Sequence, residues 1–245
     1  MIPENKLDEF VKRAVEGAGT NLESVILYGS AASGEYDPDF SDLNVFCVLR
    51  DTSLTSLQAI APAAKWWQQQ KQPPPLFMTR SELERSTDVF TIEYLDIQRH
   101  HRVLFGDDVF QGLRISRRLH RVQVEYELRE KLVLLRQQMV LSSESDKELW
   151  NLLLRSVPSF VTLFRHAAIA VGHDAQNGKR QAVASLSKAI DFDLSPIEVV
   201  LDVREHKADL KKTDVKGLSA RYLAAIEQVT LAVDKAMESG TLGHP

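Results

Sequence analysis

The sequence contains a single cysteine and no long apolar run. Its 245 residues include only Cys47, so an internal disulfide and a cysteine-rich zinc site are both excluded. No stretch approaches the roughly 18 uninterrupted apolar residues that a membrane-spanning helix requires. The first residues, MIPENKLDEF, lack a basic start followed by an apolar segment. We therefore expect no signal peptide and a cytoplasmic location.

Internal repeats and low-complexity tracts are also absent. Hydrophobic residues make up 44% of the chain and charged residues 26%, which is typical of soluble globular proteins and excludes disordered and collagen-like chains. The formal net charge of −4 argues against a general nucleic-acid-binding protein. We therefore expect neither a nucleic-acid partner nor a membrane partner. A chain of this length can bury a sizeable core in one or two domains.

Charge and residue usage divide the chain into two parts. Residues 1–112 carry 10 Lys and Arg against 17 Asp and Glu, whereas residues 113–245 carry 20 against 17. The first part has short β-prone runs and Gly-containing turns, and the second is rich in Leu, Ala, Arg and Glu. The sequence GDDVFQG, residues 106–112, supplies turn-forming residues between them. These features predict two domains, 1–112 and 113–245.

The predicted fold class is α+β, with a small mixed-sheet domain followed by an all-α helical bundle. In the first domain, apolar patterns and turn residues predict strands at 24–30, 42–49, 75–79 and 89–97. Helices are predicted there at 5–17, at 54–72 and after Thr79, which forms a capping box with Glu82. In the second domain, helical periodicity predicts a bundle of helices at 114–141, 146–172, 179–190, 195–207 and 217–238.

The segment with the clearest chemical pattern is YGSAASGEYDPDFSDLNVFCVL, residues 28–49. Its first strand ends at Gly29-Ser30, where a helical turn begins, and free backbone amides at such a start favour anions such as phosphate. The next strand opens with Asp42 and Asn44, which share one face because side chains alternate along a strand. Amides for phosphate oxygens and side-chain oxygens for Mg²⁺ would together form a metal–triphosphate site.

This segment resembles the signature of the nucleotidyltransferase superfamily with the polymerase-beta-like fold. In that signature, Gly-Ser is followed after about ten residues by Asp-apolar-Asp/Glu-apolar; here Tyr28-Gly29-Ser30 precedes Asp42-Leu43-Asn44-Val45 by eleven residues. The order of parts is similar to that of aminoglycoside and minimal nucleotidyltransferases with a carboxy-terminal helical domain. The resemblance implies Mg²⁺-dependent transfer of a nucleotidyl group, with AMP from ATP expected, to a hydroxyl group of a small molecule or a protein.

The resemblance also implies roles for individual residues. Asp42 corresponds to the essential metal ligand and catalytic carboxylate, and Gly29 and Ser30 correspond to the residues that hold the triphosphate. Ser33 and Tyr36 lie between these two motifs and are candidate contacts to the triphosphate or its metal.

A third carboxylate is expected on a later strand, and FTIEYLDI supplies two candidates, Glu93 and Asp96. A separation of three places them on opposite faces of a regular strand, so only one of them can face the site. We favour Glu93 as general base or third metal ligand, because its placement between apolar neighbours is similar to that of the base in aminoglycoside adenylyltransferases. Asp96 remains the alternative.

Asn44 departs from the family pattern, which has Asp or Glu at this position. An amide oxygen can bind Mg²⁺, but it lacks the negative charge with which two carboxylates hold two metal ions. Asn44 is therefore predicted to be an auxiliary metal ligand. The substitution leaves a second hypothesis open, in which the protein binds nucleotide with weakened catalysis or serves a regulatory role. A third hypothesis is a structural adaptor with a vestigial first domain.

Overall fold

A computed structural model of the chain describes residues 2–34, 36, 41–173, 178–210 and 213–238. The chain forms two compact units, Met1–Ser116 and Arg117–Pro245. The sequence predicts a domain boundary near Gly112, and Leu113 and Ile115 pack against a core of the first unit.

Helices and strands alternate in the described part of the first unit. The strands are β1 (Leu22–Tyr28), β2 (Asn44–Leu49), β3 (Leu76–Thr79) and β4 (His101–Gly106). The α-helices are α1 (Glu4–Ala18), α2 (Ser30–Ser33), α3 (Leu54–Gln69), α4 (Arg80–Arg85) and α5 (Thr91–Arg99). The predicted capping box is present at the start of α4, where the Thr79 side chain accepts from the Glu82 amide.

The four described strands form one mixed sheet in the order β3-β2-β1-β4. β1 pairs antiparallel with both β2 and β4, while β2 pairs parallel with β3. Tyr28, the last residue of β1, lies opposite Asn44 on β2 and opposite His101 on β4. These three residues form a row across one end of the sheet.

Both faces of the sheet are covered, which explains the nearly continuous apolar sequence of β2. Val45 and Cys47 belong to a core that includes buried side chains of α1 and α3. Phe46 and Val48 belong to a second core, on the other face, that includes buried side chains of α4 and α5. A strand that is buried on both faces needs apolar residues at every position.

The predicted strand at 89–97 is wrong. Residues Thr91–Arg99 form helix α5, and the strand next to β1 is β4, His101–Gly106. The run VFTIEYLDI contains the β-branched and aromatic residues that favour strands. However, its buried residues Thr91, Tyr94 and Ile97 recur every three positions, so a helix places them against the sheet on one side. Packing has overridden local propensity here.

The described residues of the second unit form helices joined by turns and irregular segments, with no strand among them, which confirms the predicted α+β fold class. Its helices are α6 (Arg117–Ser142), α7 (Asp146–Ala170), α8 (Lys179–Ala189), α9 (Ser195–Arg204) and α10 (Val215–Glu238). In α6, Leu128, Leu132 and Leu135 recur at helical spacing and are buried. Pro158 lies inside α7, which continues through it as one helix. None of the described helices combines the length and apolar character needed to cross a membrane.

Candidate active site

Gly29 forms a sharp bend where β1 ends. Its φ of 78° and ψ of −153° lie in a region that residues with a Cβ rarely adopt. A Cβ built at this position would lie 2.9 Å from Nδ2 of Asn44. Two features therefore favour glycine at this position. Its backbone conformation is strained for other residues, and a Cβ would displace the side chain of Asn44. The exposed bend and the start of β2 lie in direct contact.

The turn after Gly29 is short. The Gly29 carbonyl accepts from the amides of Ala32 and Ser33 at 3.0 and 3.1 Å, and α2 ends at Gly34, whose φ is 82°. A helix of four residues has little macrodipole, so binding of phosphate here depends on individual amides rather than on the helix as a whole. The amides of Ser30 and Ala31 precede the first hydrogen bonds of this turn.

Two of the sequence-predicted phosphate contacts also have local roles in the fold. Ser33 Oγ donates to the Ser30 carbonyl at 3.3 Å. Its hydroxyl proton is therefore engaged within the turn, and its oxygen can still accept a hydrogen bond or bind a metal. Tyr36 is half-buried and packs against the core of the face that contains Leu43, not the face of Asn44. Residues 35 and 37–40 lie outside the described part of the chain.

The segment Asp42-Leu43-Asn44 alternates between solvent and core. Leu43 is fully buried in the first core, Asp42 is exposed, and Asn44 is half-buried. The backbone amide of Leu43 donates to Oε1 of Gln72 at 2.8 Å. Sequence reasoning missed Gln72, because a glutamine in a loop carries no pattern that points to a partner 29 residues away.

Tyr28 lies opposite Asn44 on the neighbouring strand and within the electrostatic influence of Glu93. Its side chain is half-buried against the second core. Burial and, to a smaller extent, the negative charge of Glu93 raise the pKa of Tyr28 to about 12. The carboxylate of Glu93 therefore lies within electrostatic reach of the residue that is directly opposite Asn44 and next to Gly29. Glu93 is exposed, in the first turn of α5.

The strand argument for choosing between Glu93 and Asp96 is wrong, because both residues lie in helix α5, and the choice of Glu93 itself stays a prediction. Helical residues three positions apart are neighbours on one surface, so alternation no longer separates them. The electrostatic influence of Glu93 on Tyr28 is the observation that favours Glu93.

His101 also lies beside Tyr28, but both of its ring nitrogens are engaged. Nδ1 is 2.7 Å from the Ile97 carbonyl, and Nε2 is 2.9 Å from Oδ1 of Asp108. The ring thereby links the end of α5 to the loop after β4. Neither nitrogen is left to bind a metal or to move a proton from a substrate.

The residues that the sequence predicts as metal ligands have the chemistry that Mg²⁺ prefers. Asp42, Asn44 and Glu93 offer two carboxylates and one amide, and Mg²⁺ favours hard oxygen ligands completed by water and substrate phosphates. Within the described residues, no three His, Cys, Asp or Glu side chains are grouped so as to hold a metal.

Comparisons with known proteins agree with this geometry. Residues 5–97 match a family model described as a nucleotidyltransferase domain, whereas no curated protein sequence matches the chain. A solved structure of spectinomycin adenyltransferase AAD(9) from Enterococcus faecialis, with ATP and spectinomycin, is 14% identical with a TM-score of 0.54. The similarity covers 91% of this chain and 99% of that one, and it shows a shared fold. Residues 5–97 are therefore similar to nucleotidyltransferase domains, and the fold of the chain resembles that of spectinomycin adenyltransferase AAD(9).

Proposed function

We propose that the protein transfers a nucleotidyl group, AMP from ATP, to a hydroxyl group of a small molecule. The observation that carries this proposal is the contact between the Gly29 bend and Asn44, two residues from Asp42, within a nucleotidyltransferase domain. The solved relative was crystallised with ATP and spectinomycin, which favours a small-molecule acceptor over a protein one.

Each side chain has a role in this proposal. The amides of Ser30 and Ala31 bind phosphate oxygens beside Gly29, with Ser33 as a further contact through its lone pairs. Asp42, Asn44 and Glu93 would hold Mg²⁺, which neutralises the charge of the triphosphate when bound. Asp42 supplies the essential negative charge, and Asn44 supplies an amide oxygen.

The proposed reaction forms one bond and breaks another. The acceptor oxygen bonds to the α-phosphorus of ATP, and the bond between that phosphorus and the bridging oxygen of the β-phosphate breaks, so pyrophosphate leaves. The acceptor hydroxyl loses its proton to the Glu93 carboxylate, which requires that the two oxygens lie within hydrogen-bond distance. Tyr28, whose pKa is raised to about 12, keeps its proton throughout.

A second candidate function is nucleotide binding with weakened catalysis. Asn44 favours it, because an amide in place of the second carboxylate removes one negative charge from the metal site. In that case the protein would bind Mg²⁺–ATP and transfer little or nothing.

Labelled nucleotide distinguishes the two functions. The purified chain is incubated with α-labelled nucleoside triphosphates, Mg²⁺ or Mn²⁺, and a panel of acceptors that includes spectinomycin and cell extract. Asp42→Ala removes the proposed ligand, and Asp88→Ala removes an equally exposed aspartate elsewhere in the same unit. Label in a product that is lost only in Asp42→Ala supports transfer. Nucleotide binding by calorimetry without labelled product supports the second function.

A further inference from the structure

The backbone amide of Leu43 lies between the two proposed ligands and needs an acceptor that the sheet does not supply. β3 pairs with β2 only from Leu76, opposite Phe46, onward. The three residues before Leu76 are prolines. A buried backbone N–H without an acceptor is rare because it is costly. Here the acceptor is a side-chain oxygen, Oε1 of Gln72, at 2.8 Å.

Gln72 is itself firmly attached to the fold. Its Nε2 donates to the Gln70 carbonyl at 3.2 Å, which orients the amide with its oxygen toward Leu43. Its backbone N–H donates to the carbonyl of Trp67 at 3.4 Å. The Trp67 side chain is fully buried and packs on the ring of Phe10 at a centroid distance of 4.9 Å. Gln72 therefore links the end of α3 to the segment just before β2 through hydrogen bonds.

We propose that Gln72 is a positioning residue for the nucleotide site, and this inference rests on the proposed function. Leu43 is held twice, by its buried side chain and by the hydrogen bond to Gln72. The hydrogen bond therefore fixes the backbone between exposed Asp42 and half-buried Asn44. Ligands that are held in place before binding lose less conformational freedom when the metal–nucleotide arrives.

Two substitutions test whether the oxygen of Gln72 is the important atom. Gln72→Met keeps the length of the side chain and removes the acceptor, whereas Gln72→Glu keeps an oxygen that can accept from Leu43. Gln69→Ala is the matched control, an exposed glutamine on the last turn of α3. Val11→Ala is a second control, because it weakens packing on the same core away from this segment.

The first measurement is amide hydrogen exchange at Leu43 in the ligand-free chain. Loss of a hydrogen bond should accelerate this exchange about tenfold in Gln72→Met and leave it unchanged in Gln69→Ala, with Gln72→Glu closer to wild type. The second is the affinity for Mn²⁺ at saturating ATP, measured by calorimetry. We expect it to fall about tenfold in Gln72→Met and to be unchanged in Val11→Ala.

The outcomes separate this inference from the proposed function. Unchanged exchange at Leu43 in Gln72→Met would overturn the inference, and so would faster exchange with unchanged Mn²⁺ affinity. An equal loss of Mn²⁺ affinity in Val11→Ala would show that general destabilisation is the cause, which also overturns it. Failure of the wild-type protein to bind Mn²⁺–ATP would refute the proposed function, and the inference with it, before any Gln72 variant is compared.

Discussion

Two groups of polar side chains, one in each unit of this protein, lie in opposite environments. At the end of the sheet, Asp42 and Glu93 are exposed, and Asn44 is half-buried beside the Gly29 bend. In the helical unit, His120 and His166 are buried, with Nε2 of the first 2.8 Å from Nδ1 of the second. One ring donates to the other, so a buried hydrogen bond joins α6 to α7.

This difference separates residues that maintain the fold from residues that we propose bind a ligand. A buried hydrogen-bonded pair contributes to stability because the loss of either partner leaves the other desolvated. Exposed carboxylates contribute little to folding, since they keep their hydration in both states. Substitutions in the helical unit should therefore change stability first, and substitutions at the sheet end should change ligand binding first.

The largest expected effect is on stability. His166→Ala removes the partner of His120 and leaves a cavity, so the free energy of unfolding should fall by about 3 kcal/mol. His173→Ala, at an exposed histidine just beyond α7, should change it by less than about 0.5 kcal/mol. Denaturant unfolding of both variants measures this. Equal stability of the two variants would contradict the structural role of the pair.

Gly29→Ala should impair the site more than the fold. The new Cβ would lie 2.9 Å from Asn44 Nδ2 and would also occupy a strained backbone region. Gly19→Ala is the control, because Gly19 has a similar conformation, φ 52° and ψ −130°, with nothing within 4 Å of its Cβ. We expect both variants to lose about 1–2 kcal/mol of stability, and only Gly29→Ala to weaken Mg²⁺–ATP binding, by about tenfold or more.

Asn44→Asp tests whether the site is adapted to an amide. Under the proposed transfer function, the added charge should change the rate of nucleotidyl transfer by less than about fivefold, because the amide oxygen of Asn44 already acts as a metal ligand. A rise well above that range would indicate a scaffold weakened by Asn44 and would favour the second candidate function. Steady-state transfer rates across a range of Mg²⁺ concentrations measure the difference.

The smallest effect concerns Tyr28 and Glu93. A carboxylate beside a phenol disfavours the phenolate, so Glu93→Gln should lower the pKa of Tyr28 from about 12, while burial keeps it above 10. Glu84→Gln, at an exposed glutamate on α4, should leave it unchanged. Tyrosine ring carbon shifts in an NMR titration report the pKa. An unchanged value in Glu93→Gln would place Glu93 away from the site.

The same tyrosine predicts a dependence of stability on pH. The pKa of Tyr28 is about 12 in the folded protein, above the value of about 10 for an unfolded tyrosine. Its contribution to stability is therefore complete below pH 10 and is lost as the pH rises toward 12. Tyr28→Phe should remove this part of the decline in the free energy of unfolding between pH 10 and 12, measured by denaturant unfolding.

Local sequence patterns predicted the Gly29 bend and the start of β2 correctly, but they did not predict helix α5 or the contact of Gln72. The bend at Gly29 and the alternation around Leu43 could be predicted, because a glycine turn and a two-residue period are local signals. Helix α5 could not, since VFTIEYLDI has β-prone residues and its helical conformation depends on packing against the sheet. Gln72 could not either, because its role depends on a contact across 29 positions of the chain.

The family resemblance predicted more of the fold than of the chemistry. The α+β class and the order of parts are confirmed. The roles of Asp42, Asn44 and Glu93 remain predictions, since they depend on where a metal and a nucleotide bind. Tyr28 lies opposite Asn44 and is influenced by the charge of Glu93. This relation depends on the pairing of β1 with β2 and could not be predicted from the sequence.

The central claim is that the carboxylate of Asp42 and the Gly29 bend bind one metal–triphosphate together. The most direct test is calorimetric titration of Mn²⁺–ATP into the wild-type chain, Asp42→Ala and Asp88→Ala. The account predicts binding to the wild type and to Asp88→Ala, and a loss of affinity of about 100-fold or more in Asp42→Ala. Equal binding to all three proteins would contradict it.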